Sequence, residues 1–338
     1  MVKTNNKQLQ REVSLTNSKG SEFRSRRRMN SSAICGRASW LLLTILLGVG
    51  AANAQLNIPV VRGDNGLKSG SQPGPGIYVS GIYYFYDTNT LVDRNGTRIH
   101  RVGITQTFAG LGVTGVFKKK ILGGNYSATI VLPVLTAAIT TPQQAKDTNT
   151  GIGYSDTYAQ PINLGWHKKK YDAMAWYGIY APTGSFTAGA TNNHGLGMWS
   201  HEFGGGATVY FDEKKTWHAA TVATYNIQSH IRGTQRKAGN VVSLEGGVGK
   251  SFCSGLCNVG VDYYTQWKVT DDTLPQVPPD FIAKHRYYGL GGEVNGVIPI
   301  SAKTLTIFKV AVFKELGNRV GTQGNSVILS FVLAKPKG

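Results

Sequence analysis

The sequence predicts an all-β protein, an antiparallel up-and-down transmembrane β-barrel of about twelve strands. Three observations lead there: an export signal precedes the domain, polar and apolar residues alternate over long segments, and short turns alternate strictly with long polar loops. Composition agrees. Charged residues make up 16% of the chain, below the roughly 25% of soluble globular proteins. The 43 Gly and 16 Tyr suit turns and pleated surfaces better than helices.

The first element is a leader. Arg26, Arg27, Arg28 and Arg37 precede the apolar run Trp40–Gly50, and Ala52-Asn53-Ala54 follows it. A basic region, a short apolar core and a small-x-small site make a secretory signal peptide, too short to span a bilayer permanently. Cleavage is expected between Ala54 and Gln55; the competing reading is an uncut anchor. Residues 1–28 are long for such a basic region, and Met29 would begin a signal of ordinary length. The arginines lack the residues that follow a twin-arginine signal, and Cys35 lies ahead of the apolar run, where no lipoprotein cysteine sits. The expected organisation is therefore leader 1–54, periplasmic N-terminal segment 55–75, barrel 76–334 and tail 335–338.

Within the barrel the strands are expected at 76–87, 101–118, 125–139, 156–167, 171–181, 197–212, 216–227, 240–251, 257–270, 286–299, 303–315 and 325–334. After residue 54 no stretch approaches the roughly twenty apolar residues of a membrane helix. Short connections fall at Lys118–Asn125, Lys168–Lys170, Asp212–Lys215, Cys253–Cys257 and Ile300–Ala302. Long ones fall at 88–100, 140–155, 182–196, 228–239, 271–285 and 316–324. That alternation puts the short turns and both termini in the periplasm and the long loops outside.

Face assignment is clearest late in the chain. Val259, Val261, Tyr263, Trp267 and Val269 share one face, and Asn258, Gly260, Asp262, Tyr264, Gln266 and Lys268 the other. In lipid the apolar face looks outward. The same parity turns Ser243, Glu245, Glu293 and Asn295 inward, against Val242, Leu244, Val248, Leu290, Val294 and Ile298 outward. The third, fifth and seventh strands alternate too poorly to assign. A soluble sandwich or lipocalin-like barrel competes, but its strands average only about 5–6 residues, and one small interior could not bury so many apolar faces.

The resulting lumen candidates are Glu202, Glu245, Asp262, Tyr264, Gln266, Lys268 and Glu293, with Lys309 as a further basic group. Two readings stay open: a charged constriction that selects what passes, or charges paired with one another inside a plugged barrel, since charges withdrawn from water are usually paired. Tyr83, Tyr84, Tyr86, Trp166, Trp176, Trp199, Trp217 and Trp267 are expected in the aromatic girdles at the two membrane interfaces, ahead of a stacking site for aromatic solutes.

The whole chain carries a formal charge of +18; its leader holds nine Lys/Arg and two acids, leaving 27 basic and 16 acidic residues, or +11. Such a charge suits nucleic acid, but export and the placement of the lysines in short turns exclude that class and assign them to headgroup phosphates. Cys253 and Cys257 flank a three-residue turn in the oxidising periplasm. Opposed strand positions bring Cβ atoms to about 4.5–5.5 Å, so a structural disulfide is expected. No His or Cys spacing marks a metal site, and three intervening residues do not make a redox CxxC. Ser229 and His230 are chain neighbours on opposite sides of an extended backbone, a poor start for a hydrolase. No cofactor is implied.

Several short motifs carry a resemblance: Pro161-Ile162-Asn163-Leu164-Gly165-Trp166, Tyr180-Ala181-Pro182-Thr183-Gly184-Ser185-Phe186, Gly195-Leu196-Gly197-Met198-Trp199-Ser200, and Phe203-Gly204-Gly205-Gly206-Ala207-Thr208. With the final short strands, they make the chain resemble bacterial outer-membrane proteins linked to the meta-pathway of phenol degradation. The resemblance covers most of the mature chain and implies a channel or uptake protein for hydrophobic or aromatic compounds. One departure is the end of the chain, where Phe331 is followed by Val332–Gly338 and no terminal aromatic. The expected partners are the outer-membrane bilayer and a hydrophobic solute. The rival readings are a closed structural or surface-interaction barrel and, more weakly, an outer-membrane enzyme. The oligomeric state is left open.

The export reading is checked by mass spectrometry of the mature protein, which should begin at Gln55, cyclised or not. A protein that keeps Trp40–Gly50 overturns it.

Overall fold

A computed structural model describes residues 61–100, 103–140, 148–190, 192–273, 284–301 and 304–336. The leader, the Ala54–Gln55 cleavage site and residues 55–60 lie outside the described residues.

Alternation becomes twelve long antiparallel strands: β1 Gly76–Thr88, β2 Gly103–Ile121, β3 Gly124–Thr140, β4 Thr157–His167, β5 Tyr171–Ala181, β6 Ser200–Tyr210, β7 Trp217–Gln228, β8 Val241–Phe252, β9 Cys257–Lys268, β10 Arg286–Ser301, β11 Thr304–Glu315 and β12 Asn325–Pro336. Each pairs with its sequence neighbour, and β12 returns to β1 in register from Gly76↔Pro336 to Asp87↔Asn325, closing the barrel. Lengths run from 11 to 19 residues, at or beyond the roughly 9–11 a tilted strand needs to cross a bilayer.

The two faces differ as lipid demands. Leu111, Val113, Val248, Val261, Leu290 and Val312 are exposed on the outside, while their strand neighbours are buried or half-buried. Phe117, Tyr171, Phe211, Trp217 and Phe252 are exposed at the short-turn end, an interfacial girdle beside the lysine turns. Lys250 lies 4.9 Å from the Trp217 ring centroid. The inward assignments of the sequence reading hold on β8, β9 and β10: Ser243, Glu245, Asp262, Tyr264, Gln266 and Glu293 are all buried.

The differences have local causes. Lys118–Lys120 continue β2, because the turn needs only Leu122 and Gly123, both left-handed at φ 50° and 78°. In β4 both ladders slip around Gln160-Pro161, and Pro161 and Ile162 are both exposed. Proline cannot donate to a ladder, and the resulting bulge scrambles the period-two pattern. At the β8–β9 turn the expected disulfide is absent and both cysteines are free. Phe252, not Cys253, stands opposite Cys257. Cys253 is displaced into the turn at φ 51°, so the two are not a cross-strand pair.

Two devices tie the long loops together. Leu91–Val92 pairs with Arg98–His100 and with Gly321–Thr322, a small sheet that joins the first long loop to the last. Across the barrel, Asp272 binds the Arg236 guanidinium (2.8 Å), the Lys268 ammonium (2.5 Å) and the Gly239 N–H (2.7 Å). Burial alone would raise the Asp272 carboxyl, but those hydrogen bonds and the two cations hold it below the ordinary carboxylate range. A depressed carboxyl stabilises while ionised, so the clamp is fully present above the unfolded value of about 3.9 and is lost as pH falls through the lower folded value.

Two outcomes follow. In a background with Cys253 and Cys257 replaced by serine, a membrane-impermeant thiol reagent on intact cells should label a cysteine placed at Asn149 but not one at Lys169 or Lys214; the reverse pattern inverts the barrel. Asp272→Asn should speed tryptic cleavage at Arg236 and Lys237 at neutral pH, because about 1–3 kcal/mol is lost when a buried partner goes unsatisfied. An unchanged digestion rate would show that the loop is held by something else.

Candidate functional site in the barrel lumen

Residues 61–75 do not form the periplasmic segment expected of 55–75. They run inside the barrel along the inward faces of β6 and β8–β11. The cause is the lumen itself, which withdraws a set of carboxylates from water and leaves them in need of donors. The segment Arg62-Gly63-Asp64-Asn65-Gly66-Leu67-Lys68-Ser69-Gly70-Ser71-Gln72 supplies many of them.

Glu245 accepts hydrogen bonds from the Gly63 N–H (2.9 Å), the Asn65 N–H (3.3 Å) and the Asn65 side-chain amide (2.7 Å). Glu293 accepts from the Leu67 N–H (3.5 Å) and from Asn295 (2.5 Å). Lys309 donates to the Asp64 backbone carbonyl and carboxylate. Nearer the short turns, Ser71 and Tyr210 donate to Asp172 at 2.9 and 2.6 Å, and Gln72 donates to the Asn125 carbonyl.

Glycines shape the wall to fit. Leu67 is fully buried in a notch where Gly247, Gly249 and Gly260 leave room; a Cβ on any of them would press on its methyl groups. Gly70 lies so close to the Ala207 backbone of β6 that a side chain there would collide with it.

The strongest anchor is Arg62. Its guanidinium pairs with Glu315 at 3.1 Å, both groups deeply buried, and lies over the Tyr287 ring at 4.1 Å from the centroid, with Tyr86 and Tyr264 within 6 Å. Tyr86 and Tyr264 donate to Glu315 at 2.8 and 2.9 Å, and the Gly324 N–H does so at 2.9 Å. Cation–π contacts of a desolvated guanidinium are worth about 2 kcal/mol. Removing one partner of a buried pair typically costs about 3–5 kcal/mol.

Beside this plug, a cavity of about 310 Å³ remains between Val61, Asp64 and Asn65 and the inward faces of β1–β8. Phe108, Tyr158, Met174, Trp176 and Tyr180 supply much of its wall. Glu202 lies in that wall and accepts from Tyr158 (2.9 Å), Trp176 (2.9 Å), Asn226 (3.3 Å) and Tyr180 (3.4 Å). The indole of Trp176 can lie against β6 because position 204 is glycine, and Gly178 does the same for Tyr158.

The seven lumen candidates are therefore distributed over several places. Glu245 and Glu293 hold the plug, and Asp262 stands diagonally beside Glu293 on β9. Tyr264 belongs to the Arg62 cage. Gln266 donates to Ser243, Lys268 serves the loop clamp, and Glu202 belongs to the cavity. They do not form one charged ring, because the plug takes up Glu245 and Glu293 and the wall itself takes up Glu202. The aromatic reading needs correction too: Trp199 and Trp217 are exposed, but Tyr84, Tyr86 and Trp176 are buried in the lumen and are not girdle residues. Arg62, Thr224, Tyr158 and Tyr287 were missed. So was Glu315, although the parity of β11, with Ala311 and Phe313 inward, marks it. Among the described residues no group of His, Cys, Asp and Glu is arranged to hold a metal ion.

This barrel has solved counterparts. The COG4313 outer membrane channel from Pseudomonas putida F1 is 15% identical and superposes with a TM-score of 0.67 over 81% of this chain and 99% of that one. The CymD monoaromatic hydrocarbon channel, 9% identical, gives 0.39 over 79% and 90%, and the β domain of the Bordetella autotransporter BrkA, 12% identical, gives 0.42 over 76% and 98%. The first likeness establishes the fold. No curated protein matches the sequence. The family model described as "Putative MetA-pathway of phenol degradation" matches residues 88–331, from the end of β1 into β12, and the chain belongs to that family.

Proposed function

We propose that the protein is a passive outer-membrane channel through which small hydrophobic or aromatic molecules enter the cell. The observation that carries this reading is the cavity: an aromatic-walled space inside a lipid-facing barrel, bounded on one side by a segment that is not part of the wall. A barrel with only a structural role has no need of a walled cavity beside its plug. Membership of a phenol-degradation family and the likeness to a barrel named as an outer membrane channel point the same way. Diffusion needs no energy coupling, and none of the chemistry above requires a cofactor.

The plug sets the resting state. With Arg62 held by Glu315 and the tyrosines, and Leu67 seated in its notch, the free cross-section is confined to the cavity side. That clamp is also the one feature that favours the second reading, a closed barrel whose loops do the work, and one pair of measurements separates the two.

Wild-type protein in planar bilayers should show small, stable conductance, and proteoliposomes should take up a simple aromatic such as toluene. Arg62→Ala, which frees the upper anchor, should raise conductance several-fold while the barrel keeps its heat-modifiable mobility on gels. Folded wild-type protein that shows neither conductance nor uptake favours the closed barrel.

A further inference from the structure

Among the described residues Glu202 is bonded by neither the plug nor a cation, and unlike Asp262 it lies in the wall of the cavity. Its four partners are neutral donors on the wall, and they divide unevenly. Oε1 has two good bonds, from Tyr158 and Trp176 at 2.9 Å. Among the described residues Oε2 has only Asn226 at 3.3 Å and Tyr180 at 3.4 Å, both longer than ordinary hydrogen bonds. One oxygen of a buried carboxylate is thus underused.

A second, independent feature adjoins it. Thr224 lies opposite Gly204, one inward rung along from the Glu202↔Asn226 pair. It is only 8% exposed, lines the same cavity, and its hydroxyl has no partner among the described residues. A buried hydroxyl without a partner costs free energy unless something occupies the space beside it. The rest of the wall is mixed: Phe108, Tyr158, Met174, Trp176, Tyr180 and Val222 give it an aromatic and apolar side, and Ser80, Thr129, Gln160 and Ser243 add neutral polar groups.

The charges of the lining are one-sided. Glu202 and Glu245 contribute carboxylates, as does Asp64, which is paired with Lys309 outside the lining, and among the described residues no Lys, Arg or His lines the cavity. An anion entering this space meets like charge in a medium that screens it poorly. Size is permissive for one ring, since an apolar cavity of about 150 Å³ already admits benzene.

Resting on the channel reading, we propose that this cavity is a selectivity site for single-ring aromatic solutes that carry a hydrogen-bond donor and no negative charge. The ring packs among Trp176, Tyr158, Tyr180 and Phe108; the solute's hydroxyl or amine donates to Glu202 Oε2, and its oxygen or nitrogen lies beside the Thr224 hydroxyl. Glu202 is the residue that distinguishes a donor-bearing ring from a bare hydrocarbon and turns away carboxylates.

The test uses the purified full-length barrel in detergent, with binding of phenol, benzyl alcohol, toluene and benzoate followed by ligand-observed NMR. Phenol and benzyl alcohol should bind about tenfold more tightly than toluene, and benzoate should not compete; a tenfold ratio corresponds to about 1.4 kcal/mol. Glu202→Gln, whose amide can both accept and donate, should reduce the preference for phenol over toluene and admit benzoate. Thr224→Val keeps the shape of the side chain and should weaken phenol more than toluene, which preserves the test if Glu202→Gln does not fold. Equal binding of phenol and toluene by the wild type, or benzoate binding as tightly as phenol, overturns the proposal. So does the absence of all binding; if that protein still conducts and takes up toluene, the channel reading survives and only this site fails.

Discussion

The buried contact of Arg62 with Glu315 inside a cage of tyrosines is the interaction on which the interior depends. Glu315 ends β11 and faces inward, where two tyrosine hydroxyls and one backbone N–H stabilise it but leave its charge unmatched. Only a cation neutralises it, and the one that does comes from a residue 14 positions ahead of the first strand. Once the guanidinium is there, the chain between Arg62 and Gly76 is short enough that it must run through the lumen. Its donors then fall to Glu245 and Glu293, and the cavity becomes the volume it does not fill. Plug, acid pairing and cavity are in this sense one arrangement.

The wall was legible in the sequence for a simple reason. A strand between lipid and lumen has a period of two and a bilayer-set length, so each segment carries its own evidence. All twelve strands lie within a few residues of their expected positions, and the turn expected at Lys118–Asn125 narrows to Leu122-Gly123. Inward parity also located Glu245, Asp262 and Glu293. What parity cannot encode is which inward groups meet, since that depends on strand stagger and on a plug with no repeat of its own. Arg62 reads as an ordinary residue after a signal peptide, and nothing local to Trp176 says that glycines at 178 and 204 will let aromatic rings lie inward instead of out at the interface.

Glycine has a different task in each layer of the molecule. Within the wall, Gly247, Gly249 and Gly260 form the notch for Leu67, and Gly178 and Gly204 make room for the rings around Glu202. In the plug, Gly70 allows the backbone to pass against β6. The cost is local: strand glycines weaken pairing and remove packing. Closure compensates, since a barrel has no edge at which a weakened strand could fray. The high glycine count noted at the outset therefore reflects an interior fitted around its own chain as well as the demands of turns.

The small sheet formed by Leu91–Val92, Arg98–His100 and Gly321–Thr322 lies over the seam where β12 meets β1. That seam joins the two parts of the barrel most distant in sequence, and its closure carries the largest loop entropy of any pairing in the wall. Because the loops leaving β1 and entering β12 are themselves hydrogen-bonded to each other, the seam is fastened twice, once within the membrane and once above it. The two ladders are separate, but they join the same two stretches of chain, so the small sheet holds the loop-side end of the seam closed. A sideways escape of solute between β1 and β12 would have to part a ladder of twelve residue pairs whose loop-side end is pinned, which leaves the long axis of the barrel as the path of least resistance there.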